Sequence, residues 1–391
     1  MPAKTTIMTE KLYDVDAYLK TFSATVLECI ASEHGYDVIL DRTAFFPEGG
    51  GQHGDAGTLG GIAVTDTQIR NGIIYHRTPA PLSVGSTVEG VLAWDERFRR
   101  MQHHSGEHIL SGIVHALFGF ENVGFHLSDG EMTVDYDGEF SAADLCRVEE
   151  LANRTVWENR EIVCSYPSEE ALKTLQYRSK KELTEAVRIV TVDGIDVCAC
   201  CAPHVKRTGE IGGIYVVDAI RWKGGTRWTV RCGSDAYEEY RTLRQDEKSL
   251  SALFSAPRGQ ICSVAEKLHR DYAELRRRYG SLLKENALLQ LNQLPPCEGN
   301  LCVLLDADAD TRRAAANEGV KKCTGVFICL SGTDSDGYSY VIASAKPGLR
   351  ERAKEINAAL SGRGGGSDTM LQGSFSASEQ TIRDYFKEFQ I

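Results

Sequence analysis

The chain of 391 residues has no stretch close to the ~18–20 uninterrupted apolar residues that a membrane span needs. Its opening, MPAKTTIMTEKLY, lacks an apolar signal segment, so the expectation is a cytoplasmic protein with no membrane partner. Basic charge is in deficit: 44 Lys and Arg face 55 Asp and Glu, a net of −11. That argues against nonspecific nucleic-acid binding but leaves room for a local basic face. No internal repeat is evident. What is present in quantity is apolar surface and cysteine. A hydrophobic content of 42% supports two or three domains with real cores. In a reducing compartment, twelve cysteines read as thiols, some of them metal ligands, rather than as disulfides.

The pattern of short and long periods divides the chain into four. Residues 1–92 carry short β-rich runs (FSATVLECIA, YDVILDR, GIAVTDTQI, GIIYHRT, STVEGVLAW) broken by Gly, Asn, Asp and Pro. A small β-barrel would protect their edges. Residues 93–235 mix helices with hairpins. A helix is predicted over Met101–Phe118 with Gly119 ending it, and a second opens at a Ser141 cap. Two hairpins follow, one turning at Asp193-Gly194 and one at KGG after Trp222. Residues 236–295 read as a helical linker broken at SAPRG. Its second half places Leu268, Tyr272, Leu275, Tyr279, Leu282, Asn286 and Leu289 alternately four and three apart, a heptad seam with Asn286 at an a position. Such a seam buries itself in an intramolecular helical hairpin or in a coiled-coil homodimer. Residues 296–391 alternate strand and helix as a compact α/β domain. The fold class is therefore α+β and multidomain: an N-terminal small β-barrel, a mixed α/β domain, a helical hairpin or coiled-coil linker, and a C-terminal α/β domain.

Two clusters carry chemistry. In MQHHSGEHIL, residues 101–110, His104 and His108 are four apart and share a helix face, so both imidazoles can reach one ion. His103 points about 100° away, and His115 is roughly 10 Å further along the helix. A lone pair of this kind is more often a solvated helix start. The second cluster, DVCACCAPHV at 196–205, supplies Cys200 and His204 at the same spacing. Together they make a three-histidine, one-cysteine tetrahedral set suited to Zn2+. Cys198 and Cys201 form a Cys-x-x-Cys and are rival thiols for Cys200. Glu107 completes a His-x-x-Glu-His, the inverted zinc-protease signature, in which it would be a general base. The alternative for Glu107 is a helix-surface carboxylate or a partner of a ligand histidine. Separately, AIRWKGGTRWTVR at 219–231 carries Arg221, Lys223, Arg227 and Arg231 with no acid and two tryptophans. This ribbon could meet phosphates or be an ordinary hairpin with cross-strand aromatic packing.

The two clusters resemble the zinc motifs of the alanyl-tRNA editing proteins, freestanding relatives of the editing domain of alanyl-tRNA synthetase. The flanks are similar too: FFPEGGGQHGDAGTL (45–59) to the Gly-rich motif of the family's N-terminal barrel, and VGFHLSDGEMTVDY (123–136) to the segment after the histidine helix. HVKRTGEIG (204–212) continues the second motif, and GLRERAKEINAALSGRGGGSDTMLQGSF (348–375) resembles the synthetase's Gly-rich C-terminal domain. Where the synthetase usually has Cys-x-Gly-Thr-His, this chain has Cys200-Cys201-Ala-Pro-His204, and position 107 is Glu rather than a small or polar residue. The resemblance implies a trans-editing hydrolase that deacylates tRNA(Ala) carrying serine or glycine, with Zn2+ on His104, His108, Cys200 and His204. It implies substrate contacts from Glu48, Gly49, Gly50, Gly51, Gln52, Gly124 and His126. Contacts to tRNA are expected from Arg221, Lys223, Arg227, Arg363, Gly364, Gly365 and Gly366. A zinc metallopeptidase built on His104, Glu107 and His108, or a tRNA-binding protein with structural zinc, are the competing readings.

Overall fold

A computed structural model describes residues 8–33, 35–128, 131–179 and 187–391. The opening seven residues, and Asp129 and Gly130 within the segment 123–136, lie outside the described residues. The chain packs as two compact units, residues 1–248 and 249–391. Among the described residues no helix is long and apolar enough to cross a membrane.

The first unit begins with seven antiparallel strands, in the order Ile62–Val64, Gly57–Leu59, Thr87–Leu92, Thr21–Ser32, Gly35–Leu40, Ile73–Thr78 and Asp66–Arg70. The two end strands are consecutive in the chain with Thr65 alone between them, so the sheet curls back on itself. Alternate residues of these strands, among them Ala24, Val26, Val38, Leu40 and Val88, fill its interior.

One long helix, Trp94–Phe118, leaves this sheet and runs through the next core. It starts seven residues earlier than its apolar spacing predicts, because Arg97 is buried by ion-pairing with Asp55 and donating to the carbonyls of Ala17 and Ala44. Gly119, in the left-handed region at φ 70°, ends it. The second helix, Ala142–Trp157, opens on Ser141 in a reciprocal capping box with Asp144. A four-stranded antiparallel sheet, in the order Asn122–Ser128, Glu131–Tyr136, Gly225–Cys232 and Ile214–Trp222, covers the helices. A three-stranded sheet, Ile162–Ser165, Ile189–Val192 and Asp196–Ala199, adds an edge. Both expected hairpins form with altered turns. Val192 pairs with Asp196, so the first loop has three residues, Asp193 to Ile195. In the second, Trp222 pairs with Gly225, and Lys223 and Gly224 both have positive φ, a two-residue turn suited to strand twist.

In the second unit, helix Ile261–Gln293 follows the break at 255–260. Its C-terminal end buries Ala287 and Leu291 in a core with Leu305, Ala315 and Phe327. Further up, the seam is uncovered: Leu268, Tyr272, Leu275, Tyr279 and Leu282 are all more than half exposed. A five-stranded sheet follows in the order Leu301–Leu304, Val326–Thr333, Gly337–Ser344, Met370–Phe375 and Gly362–Gly366, with helices Ala309–Gly319, Leu349–Ala359 and Glu379–Glu388. The segment GRGGG, glycine-rich and without β-forming side chains, is an edge strand. Gly364 packs so tightly that a Cβ would lie 2.4 Å from both the Gln372 carbonyl and the Tyr340 hydroxyl.

Candidate metal centre

The histidine helix is not a solvated start. His103, His104, Glu107 and His108 are all buried. Its polar face turns inward, and each group on it has a partner. His103 is structural: Nδ1 donates to the Arg99 carbonyl at 2.9 Å and Nε2 accepts from the Cys232 N–H at 3.2 Å. His115, as its position predicts, stands apart and exposed, paired with Glu121 at 2.8 Å.

His104, His108, Cys200 and His204 converge, with one donor atom from each lying within 4.8 Å of the others. Cys200 Sγ is 3.4 Å from His104 Nε2 and 3.5 Å from His204 Nε2. A tetrahedron with metal–nitrogen bonds of about 2.0 Å and a metal–sulfur bond of about 2.3 Å has an N···S edge of about 3.5 Å, so the donor set fits zinc. The far side of each ring is tied down. His104 Nδ1 meets Gln52 Oε1 at 3.0 Å, His108 Nδ1 meets Asp196 Oδ2 at 2.9 Å, and His204 Nδ1 meets Ser105 Oγ at 3.0 Å. Each partner can accept a proton from Nδ1, which leaves all three Nε2 lone pairs turned to the common point. Asp196 is itself held by Arg178 through two bonds of 2.8 and 2.9 Å.

The electrostatics agree with the donor chemistry at Cys200 and His204, whereas at His108 burial pulls the ring down but the hydrogen bonds to Asp196 and Cys200 push it well above its ordinary value. Burial alone would push the Cys200 thiol up, but His104, together with hydrogen bonds from His108 and His204, brings it well below its ordinary value. Burial lowers His204 to about 3, against the opposing pull of Cys200, so this ring is neutral at physiological pH. Of the rival thiols, Cys201 is exposed while Cys198 is buried on the hairpin strand. Cys198 belongs to a second group with His108 and Asp196, but there the His108 Nδ1 is already bonded to Asp196.

Glu107 is neither a metal ligand nor a surface carboxylate. Its Oε1 accepts from Ser111 Oγ at 2.6 Å and from Asn122 Nδ2, while Oε2 lies 3.9 Å from His108 Nε2. The EGGGQ loop is a tight turn: Gly49 and Gln52 exchange backbone bonds, and Gly50 and Gly51 have positive φ. A Cβ on Gly51 would sit 2.2 Å from the Phe125 carbonyl. This close approach delivers Gln52 to His104. Gln52 Nε2 is buried without a hydrogen-bond partner among the described residues. Glu48 turns away to Gln68 at 2.6 Å. On the strand Asn122–Ser128, alternation aims Phe125 and Leu127 inward, with Phe125 4.8 Å from His104 between ring centroids. Gly124 and His126 therefore face the other side. The basic ribbon is partly neutralised from elsewhere in the fold: Arg227 chelates Asp135 and stacks on Trp222, Arg221 meets Glu139, and Arg231 meets Glu239. Lys223 lies 5.5 Å from the Trp222 ring. In the second unit Arg363 contacts Ser374 across the glycine strand. The residues that sequence reading missed are Gln52's mate role to His104, Ser105, Asp196, Arg178 and the Ser111–Asn122–Tyr136 group. Ser105 and Ser111 had a signal, being on the histidine helix one position after His104 and three after His108, and so did Asp196, the first residue of the second cluster.

Comparison with known proteins agrees with this arrangement. Residues 6–96 match the family described as tRNA synthetases class II (A), and residues 187–229 match the threonyl and alanyl tRNA synthetase second additional domain. The alanyl-tRNA editing protein AlaX-L of Pyrococcus horikoshii is 29% identical over 410 residues, covering 96% of this chain and 97% of its own. The alanine–tRNA ligases of Thermococcus kodakarensis and Pyrococcus abyssi are 30% and 29% identical over 93% of this chain, but the chain spans only 41% and 42% of their length. The C-Ala domain of Aquifex aeolicus alanyl-tRNA synthetase, a solved structure, matches at 20% identity over 23% of this chain and 87% of that one, with a TM-score of 0.19, too low to bear on the fold. Taken over nearly the whole of both chains, this protein is similar to an alanyl-tRNA editing protein, and its two matched segments are of alanyl-tRNA synthetase type.

Proposed function

We propose that the chain is a trans-editing deacylase that hydrolyses the ester joining serine or glycine to tRNA(Ala). The observation that carries the reading is the convergence of four donor atoms whose three imidazoles are each oriented from behind by a separate partner. His104, His108, Cys200 and His204 would hold zinc. When bound, it would fix the ligand loop and place a positive charge near the 3′-terminal adenosine without bonding to it, since four protein ligands leave no open position for a metal-activated water or a substrate atom.

The chain's own groups supply the rest. An aminoacyl ester is already activated, so positioning and the exclusion of the correct ester dominate. Gln52, held through Oε1 by His104, has a buried amide N–H to offer an ester or ribose oxygen. Glu107 presents Oε2 toward the His108 Nε2 side, where a carboxylate can take a proton from attacking water while Ser111 and Asn122 hold its other oxygen. The tRNA body is assigned to Arg221, Lys223 and Arg227 in the first unit. In the second unit it is assigned to Arg363 and the backbone of Gly364, Gly365 and Gly366, where glycine lets phosphates or sugars come close. The division into a barrel at 1–92, an editing domain at 93–235, a linker at 236–295 and a tRNA-binding domain at 296–391 belongs to the same proposal. So does a homodimer through the exposed seam.

A zinc peptidase on His104, Glu107 and His108 fits less well, because Cys200 and His204 complete the donor set and leave no site for a peptide carbonyl. One assay separates the readings: Ser-, Gly- and Ala-tRNA(Ala) are incubated with the protein, with and without a chelator. Loss of the serine or glycine ester, with the alanine ester spared, is the expected result. Binding without turnover would leave an RNA-binding module with structural metal, and peptide cleavage with all three esters intact would favour the peptidase.

A further inference from the structure

Resting on the metal centre proposed above, we infer that Arg188, which lies outside both metal motifs, is the positioning residue that shapes the Cys200–His204 ligand loop. The loop has a built-in weakness. Pro203 has no N–H to donate, and two neighbouring thiols, Cys200 and Cys201, compete to face the donor set. Arg188 holds the loop from both directions. Its backbone carbonyl accepts the Cys200 N–H at 3.1 Å. Its Nη1 donates to the Cys200 carbonyl at 3.0 Å and to the Ala202 carbonyl at 2.8 Å. Both carbonyls are thereby turned to one nitrogen, and the Cys200–Cys201 and Ala202–Pro203 peptide planes are set.

The guanidinium is placed as a strut rather than as a surface charge. Arg188 is only 6% exposed. Asp14 approaches its Nε at 3.8 Å, and Tyr166 donates to the other Asp14 oxygen at 3.0 Å. Between these bonds Ala202 is buried against Tyr13, Phe46 and Ile74, with Cys200 packed on the same cluster. The loop is thus pinned by an apolar plug at Ala202 and by one nitrogen on the flanking carbonyls. With these in place Cys200 Sγ falls at tetrahedral-edge distance from His104 and His204, and Cys201 is left exposed. A burial of this kind is otherwise unfavourable for an arginine, and the two carbonyls and Asp14 offset it.

The test uses the full chain and reads metal, not turnover. Zinc affinity is measured by competition with a chromophoric chelator, and cobalt substitution reads the thiolate-to-metal charge-transfer band. Arg188→Met is expected to weaken zinc binding about 10–100-fold, the range typical of an outer partner of a metal ligand, and to diminish the cobalt band. Arg188→Lys is expected to recover most of the affinity, because a single nitrogen makes both carbonyl bonds. Cys201→Ala is expected to bind as the wild type does. Wild-type affinity in the Met variant overturns the inference while leaving the metal centre standing. A Lys variant as weak as the Met variant also overturns it, since the role would then be packing. If the Met variant does not melt cooperatively, Arg188→Gln is read by the same criterion. A wild-type protein that binds no zinc would instead sink the metal centre itself, so the two failures are told apart.

Discussion

The two long helices break the usual rule of burial in opposite directions. Helix Trp94–Phe118 buries three histidines, two arginines, two serines and a glutamate along with its apolar residues. Helix Ile261–Gln293 leaves Leu268, Tyr272, Leu275, Tyr279 and Leu282 exposed over most of its length. Exposed single apolar residues are ordinary, and so are satisfied buried polar groups. A whole face of either kind is the informative departure. The first face is explained by a donor set aimed at one point. The second awaits a cover, for which a second copy of this chain is proposed. Polar burial here surrounds the donor set, and apolar exposure lies where association is proposed.

The largest effect should come from the donor set. Cys200→Ala is expected to strip bound zinc from the purified protein, while Cys201→Ala keeps full occupancy by elemental analysis. The reverse pattern would mean that the loop presents the other thiol. Next is the partner behind the ring. Asp196→Asn retains shape but no longer accepts strongly from His108, and zinc affinity should fall about 10–100-fold with the melting temperature little changed. Unaltered affinity would reduce the Asp196–Arg178 pair to a structural role.

A third prediction contrasts these histidines with one that has no metal to serve. His76 lies in the curled sheet, accepting at Nε2 from the Thr43 hydroxyl at 2.8 Å and donating from Nδ1 to the Val38 carbonyl at 3.0 Å. Burial lowers its pKa to about 4, against that carbonyl's opposing effect. The neutral ring is the folded form, whereas in the unfolded chain it takes up a proton near pH 6.5. Its contribution is therefore present above about pH 6.5 and lost as pH falls toward 4. Between pH 7 and 5 the loss is about 2 kcal/mol. Urea unfolding of the wild type and of His76→Gln at both pH values measures it, and equal pH dependence in the two proteins would refute it.

The smallest effect on the isolated chain concerns the seam. Leu275→Ser, at an exposed position, should change the monomer's stability by no more than about 0.5 kcal/mol. Yet it should shift light-scattering mass from dimer toward monomer at micromolar concentration. A monomeric wild type would remove the dimer from the proposal.

Much of this molecule was legible without coordinates because the relevant signals are local. The i, i+4 spacing of His104 and His108, the Ser141 cap, the Gly119 stop and the heptad steps each depend on residues within a turn or two. The hairpins were legible for the same reason, but their turns were not. Whether Gly225 belongs to the turn or the strand depends on cross-strand register. The glycine strand escaped notice because it carries no β-forming side chains and is held by pairing with Met370–Phe375 alone.

By itself the sequence determined two candidate ligand pairs, where each sits on its own element, and which family's motifs they resemble. Only the tertiary structure decided what stands behind each imidazole, that Phe125 rather than His126 faces the centre, and that Arg188 grips the cysteine loop. Those contacts join residues 12 to 99 positions apart, across separate strands and helices. A spacing rule reaches no further than one turn of helix or one pleat of strand, whereas the orientation of a metal-binding ring is set by whichever distant group the packed core brings to its other nitrogen.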